Sequence, residues 1–383
     1  MVDHAFRRRS LTAVTGATFA VAVTLGLTWP LLALVLAGRG VAPAVIGLSS
    51  AAQMAAIVVV VPLAPWLMAR FGTLAVITGA LTIVVAMLLA LPAVDDVRAW
   101  YPIRFALGAG AEVLLVAADV WVNQVAEERT RGRTVGLYGL ALSAGFAAGP
   151  LIVGITGTEG WAPFVVAAAI AALGAVPLAF VRDAVPAIEG RPTGRLWHFV
   201  RIAPTLMLAG LMFGLIDAAV LSFLPLYGLA HGFDQATATL LVTALIGGSV
   251  IGQLPLGWLA DRLDGRLVAI GCGAANLLAG FALPLAIATP WALWPLLLVW
   301  GVAAGGFYTV AMVMMGRRFS GADLVAVNAA LVVVWGAGGI VGPMVAGAAV
   351  EAIGREGLPA TVVACSVAFL VLALIRYRAT RRP

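Results

Sequence analysis

Apolar residues run in long blocks along this chain, and charged residues collect in the short gaps between them. A helix that crosses a bilayer needs about 20 mostly apolar residues. Blocks of that length fall at 11–37, 43–68, 74–92, 101–124, 134–156 and 162–181. A second set falls at 203–229, 236–259, 267–288, 291–315, 324–348 and 358–377. The pattern predicts an all-α membrane protein with 12 transmembrane helices and very tight connections at Arg70 and at Asp261-Arg262. The longest polar stretch runs from Arg182 to Arg201 and carries Pro186, Gly190, Pro192 and Gly194. It predicts a linker over 183–201 between a six-helix bundle at 1–182 and another at 202–383.

The halves repeat one another. Gly145, Gly149, Pro150 and Gly154 follow the spacing G-x-x-x-G-P-x-x-x-G, and Gly338, Gly342, Pro343 and Gly347 follow it again 193 residues later. Leu67 to Arg70 likewise lies 192 residues before Leu259 to Arg262. A half-length repeat in a twelve-span chain implies duplicated six-helix bundles. The glycines let spans five and eleven approach their neighbours closely, and each mid-helix proline frees a carbonyl and permits a bend.

Composition removes the soluble classes. Hydrophobic residues make up 63% of the chain and charged residues 10%, with a mean hydropathy of +1.08. A soluble domain needs more charge than this to wet its surface. The net charge of +6 would suggest nucleic acid in a soluble protein, but here the arginines sit in loops, and no nucleic-acid partner is expected. All 23 cationic residues are Arg, which fits GC-rich coding and a bacterial inner membrane. With both termini inside, the cytoplasmic segments hold Arg7 to Arg9, Arg70, Arg129, Arg131, Arg133, Arg182, Arg191, Arg195 and Arg201. In the second half they hold Arg262, Arg266, Arg317, Arg318, Arg376, Arg378, Arg381 and Arg382. Outside lie only Arg39, Arg98 and Arg355, so both termini are expected in the cytoplasm. Arg7-Arg8-Arg9 before an apolar run imitates a signal peptide, but the run is too long for one and reads as an uncleaved first span.

Gly257-Trp258-Leu259-Ala260-Asp261-Arg262, followed by Gly265 and Arg266, resembles the loop G-x-L-A-D-R-x-G-R-R of major facilitator proteins, with Asp264 as an extra residue. The first-half copy ends in Ala69-Arg70, so the acid is missing there. Arg104, Gly108 and Gly110 are similar to the family's R-x-x-x-G-x-G helix. Asp119-Val-Trp121-Val-Asn123, Arg131-Gly-Arg133, Tyr138, Pro225-Leu-Tyr227, Gln253 within Gly252 to Gly257, and Leu324 to Leu331 resemble the YcaD-like branch. The resemblance implies the major facilitator fold, two bundles related by a pseudo-two-fold axis, and a cavity lined mainly by spans one, four, seven and ten. It further implies alternating access, monomeric function, and a latch in which Asp261 works with Arg262, Arg266, Gly257 and Arg70. The span-five element resembles a motif common in antiporters, with Val153 in place of a usual glycine.

Four ionisable residues fall inside predicted spans: Arg104, Glu112 and Asp119 on span four, and Asp217 on span seven. Such groups are costly in a bilayer and usually face a cavity or a partner. Glu112 and Asp119 are seven residues apart, about 700° of rotation, and therefore point the same way. Asp217 has apolar neighbours and no local cation; it could carry protons, or rest protonated and hydrogen-bonded to a neighbouring helix. Glu112 could serve the cavity or neutralise an Arg of its own helix, and Arg104 could take part in coupling or snorkel outward. Tyr227, Gln253, Tyr308 and Asn328 could bind substrate or bridge helices, and Trp29, Trp121 and Trp335 could stack on it or anchor at the interface. Thr24, 193 residues before Asp217, is the expected pseudo-symmetric counterpart of that acid.

The chain has no Walker A sequence, no H-E-x-x-H and no G-x-S-x-G. Cys272 and Cys365 lack metal-ligand spacing, and no cofactor or metal is expected. The chemistry points to a carrier rather than an enzyme. The first expectation is proton-coupled export of a small amphipathic or cationic organic compound. The alternatives are proton-coupled uptake of a small nutrient and a non-transporting sensor or assembly partner with the same fold.

Overall fold

The computed structural model describes residues 4–127, 131–181, 196–319 and 321–379. Arg129, Arg182, Arg191, Arg195, Arg381, Arg382 and most of the expected linker lie outside the described residues. Every regular element among the described residues is helical, because a helix satisfies its own backbone hydrogen bonds where no water can. The first six long helices are α1 (His4–Gly38), α2 (Pro43–Phe71), α3 (Thr73–Ala93), α4 (Val97–Val125), α5 (Arg131–Thr156) and α6 (Ala162–Ala179). The second six are α7 (Pro204–Ala230), α8 (Gln235–Arg262), α9 (Gly265–Ala286), α10 (Pro290–Arg318), α11 (Gly321–Ile353) and α12 (Gly357–Ala379).

Eleven apolar stretches among the described residues can span a bilayer, and the last, Ala326–Ala379, is 54 residues long. As one helix it would reach roughly 80 Å, far beyond a hydrocarbon core of about 30 Å. It is two helices. Gly354 breaks the run with φ of 73°, a left-handed conformation that favours glycine. Gly357 then folds against the backbone of Ala349 and Val350, leaving no room for a Cβ. Tight ends elsewhere follow from short acids: Asp96, Asp234 and Asp264 accept backbone N–H groups from Arg98, Thr237 and Arg266. Within α2, a single 3₁₀ turn at Val61–Leu63 separates two α-helical segments where Pro62 and Pro65 withhold their N–H donors.

The chain forms two compact units, residues 1–35 with 52–191 and residues 36–51 with 192–383. In the first unit, Trp121 is fully buried and donates to the Ser10 hydroxyl at 2.7 Å. In the second, Trp300 is fully buried and donates to Asn276 at 2.9 Å. Residues 36–51 group with the second unit because Pro43, Ala44 and Gly47 lie against Pro343 and Gly347. Ser222 also donates to Ser50 at 3.1 Å, and the Ala44 N–H donates to Glu351 at 3.1 Å. Many large apolar side chains are strongly exposed, among them Ile155, Leu254, Leu285 and Trp291, as a lipid-facing surface requires.

The repeated glycines pack as their spacing predicts. Gly145 and Gly149 of α5 lie against α1 at Phe19, Ala22, Gly26 and Leu27. Gly338 and Gly342 of α11 lie against α7 at Leu211 and Leu215. Gly145 sits between the Phe19 carbonyl and the Val23 amide, whereas Gly338 sits between the Leu211 carbonyl and the Leu215 amide. Thr24, the expected counterpart of Asp217, is buried within α1. The Thr24 hydroxyl is spent on the Ala20 carbonyl of its own helix at 2.9 Å.

Candidate functional site

In the first unit the polar groups line up along α4. Arg104 is completely buried, which overturns the snorkelling alternative. Its guanidinium donates through Nε and Nη2 to Oε1 of Gln53 on α2, at 3.3 and 3.2 Å. Gly108 makes this possible, since its missing Cβ lets α4 press on the Gln53 backbone and on Ala56. Glu112 follows two turns later and is also buried. Asp119 shares its face but reaches the exposed surface, with Tyr138 of α5 as its polar neighbour. The two acids are about 10 Å apart along the helix and repel electrostatically. No Arg–Glu112 ion pair occurs among the described residues, so Glu112 is not a simple neutraliser within its helix.

In the second unit Asp217 stands differently. It is half-buried on α7, and no hydrogen bond or ion pair reaches its carboxyl among the described residues. The hydrogen-bonded alternative for this acid is therefore absent from the structure. One turn earlier, Phe213 faces Trp335 of α11 in a stacked arrangement with ring centroids 6.2 Å apart. The Tyr308 ring of α10 lies 5.5 Å from Phe213. Gly214 fixes this cluster, because any Cβ there would strike the Trp335 carbonyl and indole. The Trp335 Nε1–H is buried with no acceptor among the described residues.

The other expected site residues separate. Tyr227 lies ten residues beyond Asp217 on α7, about 15 Å along the axis, buried against His231 at 4.3 Å between rings. Gln253 is exposed on α8 between Ile251 and Leu254, both strongly exposed, and Asn328 is half-buried on α11 two turns before Trp335. Trp121 and Trp29 are buried in packing, so neither is available to stack on a substrate. At the loop between α8 and α9, Asp261 meets Arg317 of α10 at 3.3 Å. Arg262 stacks over Trp258 with its guanidinium carbon 4.0 Å from the ring centre, and Arg70 lies 6.0 Å from the Phe71 ring. Arg266 gives its backbone N–H to Asp264.

Three partners escaped the sequence reading: Gln53, Phe213 and Arg317 in its pairing with Asp261. Gln53 had a signal, being an amide inside an apolar run. Phe213 had one too, four residues before Asp217 and hence on its face. The Arg317 partnership had none, because it joins positions 56 apart.

Comparison with known proteins fits this architecture. The Major Facilitator Superfamily model matches residues 14–248 and 206–383. The MFS-type transporter YfkF of Bacillus subtilis is 25% identical over 333 residues, covering 84% of each chain. YcaD of Escherichia fergusonii is 26% identical over 288 residues, covering 74% of each. Among solved structures, a bacterial homologue of the human lysosomal transporter Spinster superposes with a TM-score of 0.80 at 17% identity, over 97% of this chain and 96% of that one. The nucleoside transporter NupG superposes with a TM-score of 0.82 at 14% identity, over 96% and 99%. With both halves matched by the family model and the whole helical course shared, this chain belongs to the Major Facilitator Superfamily of membrane transporters and is YcaD-like.

Proposed function

We propose that the chain is a secondary active transporter that works by alternating access and exports a small amphipathic or cationic organic compound in exchange for protons. The observation that carries this reading is Asp217, an unpartnered carboxyl one turn along α7 from Phe213, whose ring meets those of Tyr308 and Trp335. Aromatic faces attract organic cations, and a carboxylate supplies the opposite charge. A proton and a cation would then compete for one carboxyl: the cation leaves when the acid is protonated and returns when the proton is lost. Glu112 and Asp119 on α4 form a second acidic element for proton movement.

The test is proton movement in proteoliposomes loaded with a pH-sensitive dye, prepared with an acidic lumen and challenged with a panel of cations, anions and sugars. Exchange alkalinises the lumen when a cation is added outside, whereas symport acidifies it. The native chain is expected to alkalinise with aromatic or quaternary cations, and Asp217→Asn is expected to abolish the response. A native response that persists in Asp217→Asn removes the acid from the mechanism, and luminal acidification replaces export with uptake.

A further inference from the structure

Where α1 and α6 cross in the first unit, the contact is close: Gly174 lies against Ala17 and Ala20, and Gly16 faces Pro177. Towards the arginine-rich end the helices part and leave a cavity of about 750 Å³. Its wall is formed by Arg8, Arg9, Thr12 and Ala13 from α1, and by Pro177, Phe180 and Val181 at the end of α6. That volume falls within the range of about 300–1,000 Å³ typical of ligand sites.

The three neighbouring arginines are not equivalent. Arg7 is paired with Glu127, but Arg8 and Arg9 are exposed and make no ion pair among the described residues. The Thr12 hydroxyl donates to the Arg8 carbonyl at 2.8 Å, and the two guanidiniums are the charged groups among the described residues of the wall. Among the described residues no carboxylate lines the cavity. The wall is apolar opposite them, and that surface continues up α6 as an exposed stripe of Phe180, Val176 and Leu173, the last two lying four and seven residues before Phe180. Two free cations at the rim with an apolar stripe running into the membrane match an amphiphile with an anionic head.

We infer that this cavity is a binding site for an anionic phospholipid, with Arg8 and Arg9 holding the phosphate and the acyl chains lying along Leu173, Val176 and Phe180. Guanidinium forks suit phosphate oxygens, and juxtamembrane arginines attract anionic leaflets. The positive-inside rule assigns this end of the bundle to the cytoplasmic leaflet. Free phosphate shares the head-group chemistry but would not use the apolar stripe. The site is independent of Asp217 and of the proposed exchange.

Native mass spectrometry of the purified full chain, titrated with phosphatidylglycerol or with phosphatidylcholine of the same chains, tests the inference. Phosphatidylglycerol should be retained in preference to phosphatidylcholine, and Arg8→Gln with Arg9→Gln should weaken its binding roughly thirtyfold. Arg8→Lys with Arg9→Lys keeps the charge and should retain most of the binding, which separates loss of the site from loss of the fold. Val176→Asp should also weaken the lipid without touching either arginine. Equal retention of the two lipids, or unchanged binding in the double glutamine variant, overturns the inference. Displacement of the lipid by millimolar inorganic phosphate overturns it in favour of a free-anion site.

Discussion

The two membrane-embedded polar regions solve the same problem in opposite ways. On α4, Arg104 is enclosed and clamped by Gln53, and the acids Glu112 and Asp119 are strung along one face. On α7, Asp217 has no polar partner among the described residues and lies one turn from Phe213, which packs with Tyr308 and Trp335. A clamped charge is fixed in place, since breaking its hydrogen bonds inside a low-dielectric surround leaves an uncompensated ion. An unpartnered carboxyl is free to exchange what it binds. Under the proposed exchange, this difference gives Asp217 the leading part and the α4 acids a supporting one.

The largest test of that division is substitution of the acids. Asp217→Asn is expected to lower cation-driven proton flux by at least about a hundredfold, the scale on which a positioned proton-transfer group acts. Glu112→Gln is expected to keep about a tenth of the flux or more, and equal losses at both positions would merge the two regions into one. Both variants should be compared at matched expression and melting temperature.

Two tryptophans sharpen the comparison next. Trp121→Ala should destabilise the protein by about 3–5 kcal/mol through loss of a fully buried indole and its bond to Ser10, read as a lower melting temperature in detergent. Trp335→Ala should instead raise the apparent KM for an organic cation about tenfold with a smaller change in melting temperature. A large stability loss at Trp335 without a KM change would mark the aromatic cluster as packing alone.

A smaller effect should separate the repeated glycines. At Gly338 a Cβ would come within 2.1 Å of the Leu211 carbonyl oxygen, whereas at Gly145 it would meet the Ala22 Cβ at 2.7 Å and the Phe19 carbonyl oxygen at 2.8 Å, a milder overlap. Gly338→Ala is expected to cost about 1–3 kcal/mol and Gly145→Ala less, with Gly271→Ala, where the space is open, near neutral. The smallest effect belongs to the Asp261–Arg317 pair, which is exposed on both sides. Asp261→Asn should change stability by less than about 1 kcal/mol. A marked change in transport rate with that variant would show that the pair acts on the cycle.

Most of the helical course could be read before any coordinates. Apolar block length placed α3 within one residue at each end, 74–92 against Thr73–Ala93. It fell short at α11, 324–348 against Gly321–Ile353, because a helix end past the apolar block is set by the tight turn at Gly354. The candidate acids were legible for the same reason as the spans, since a charge inside an apolar block is conspicuous. Their environments were not. Arg104 could be read as snorkelling because length alone allows it, and only the position of Gln53 on α2 shows that it is held inside. Trp121 and Trp335 look alike in sequence, yet one is tied to Ser10 and the other has an unpaired Nε1–H beside Phe213.

The chain by itself determined its solvent, its helices and its duplication, because hydropathy, helix length and repeat spacing are properties of neighbouring or regularly spaced residues. The tertiary structure alone decided which helices meet, and with them the glycine contacts of α5 with α1 and of α11 with α7, the Gln53 clamp, the aromatic cluster around Phe213 and the cavity beside Arg8 and Arg9. In lipid the hydrophobic effect does not choose helix partners, so close packing and polar contacts between residues distant in sequence must do so.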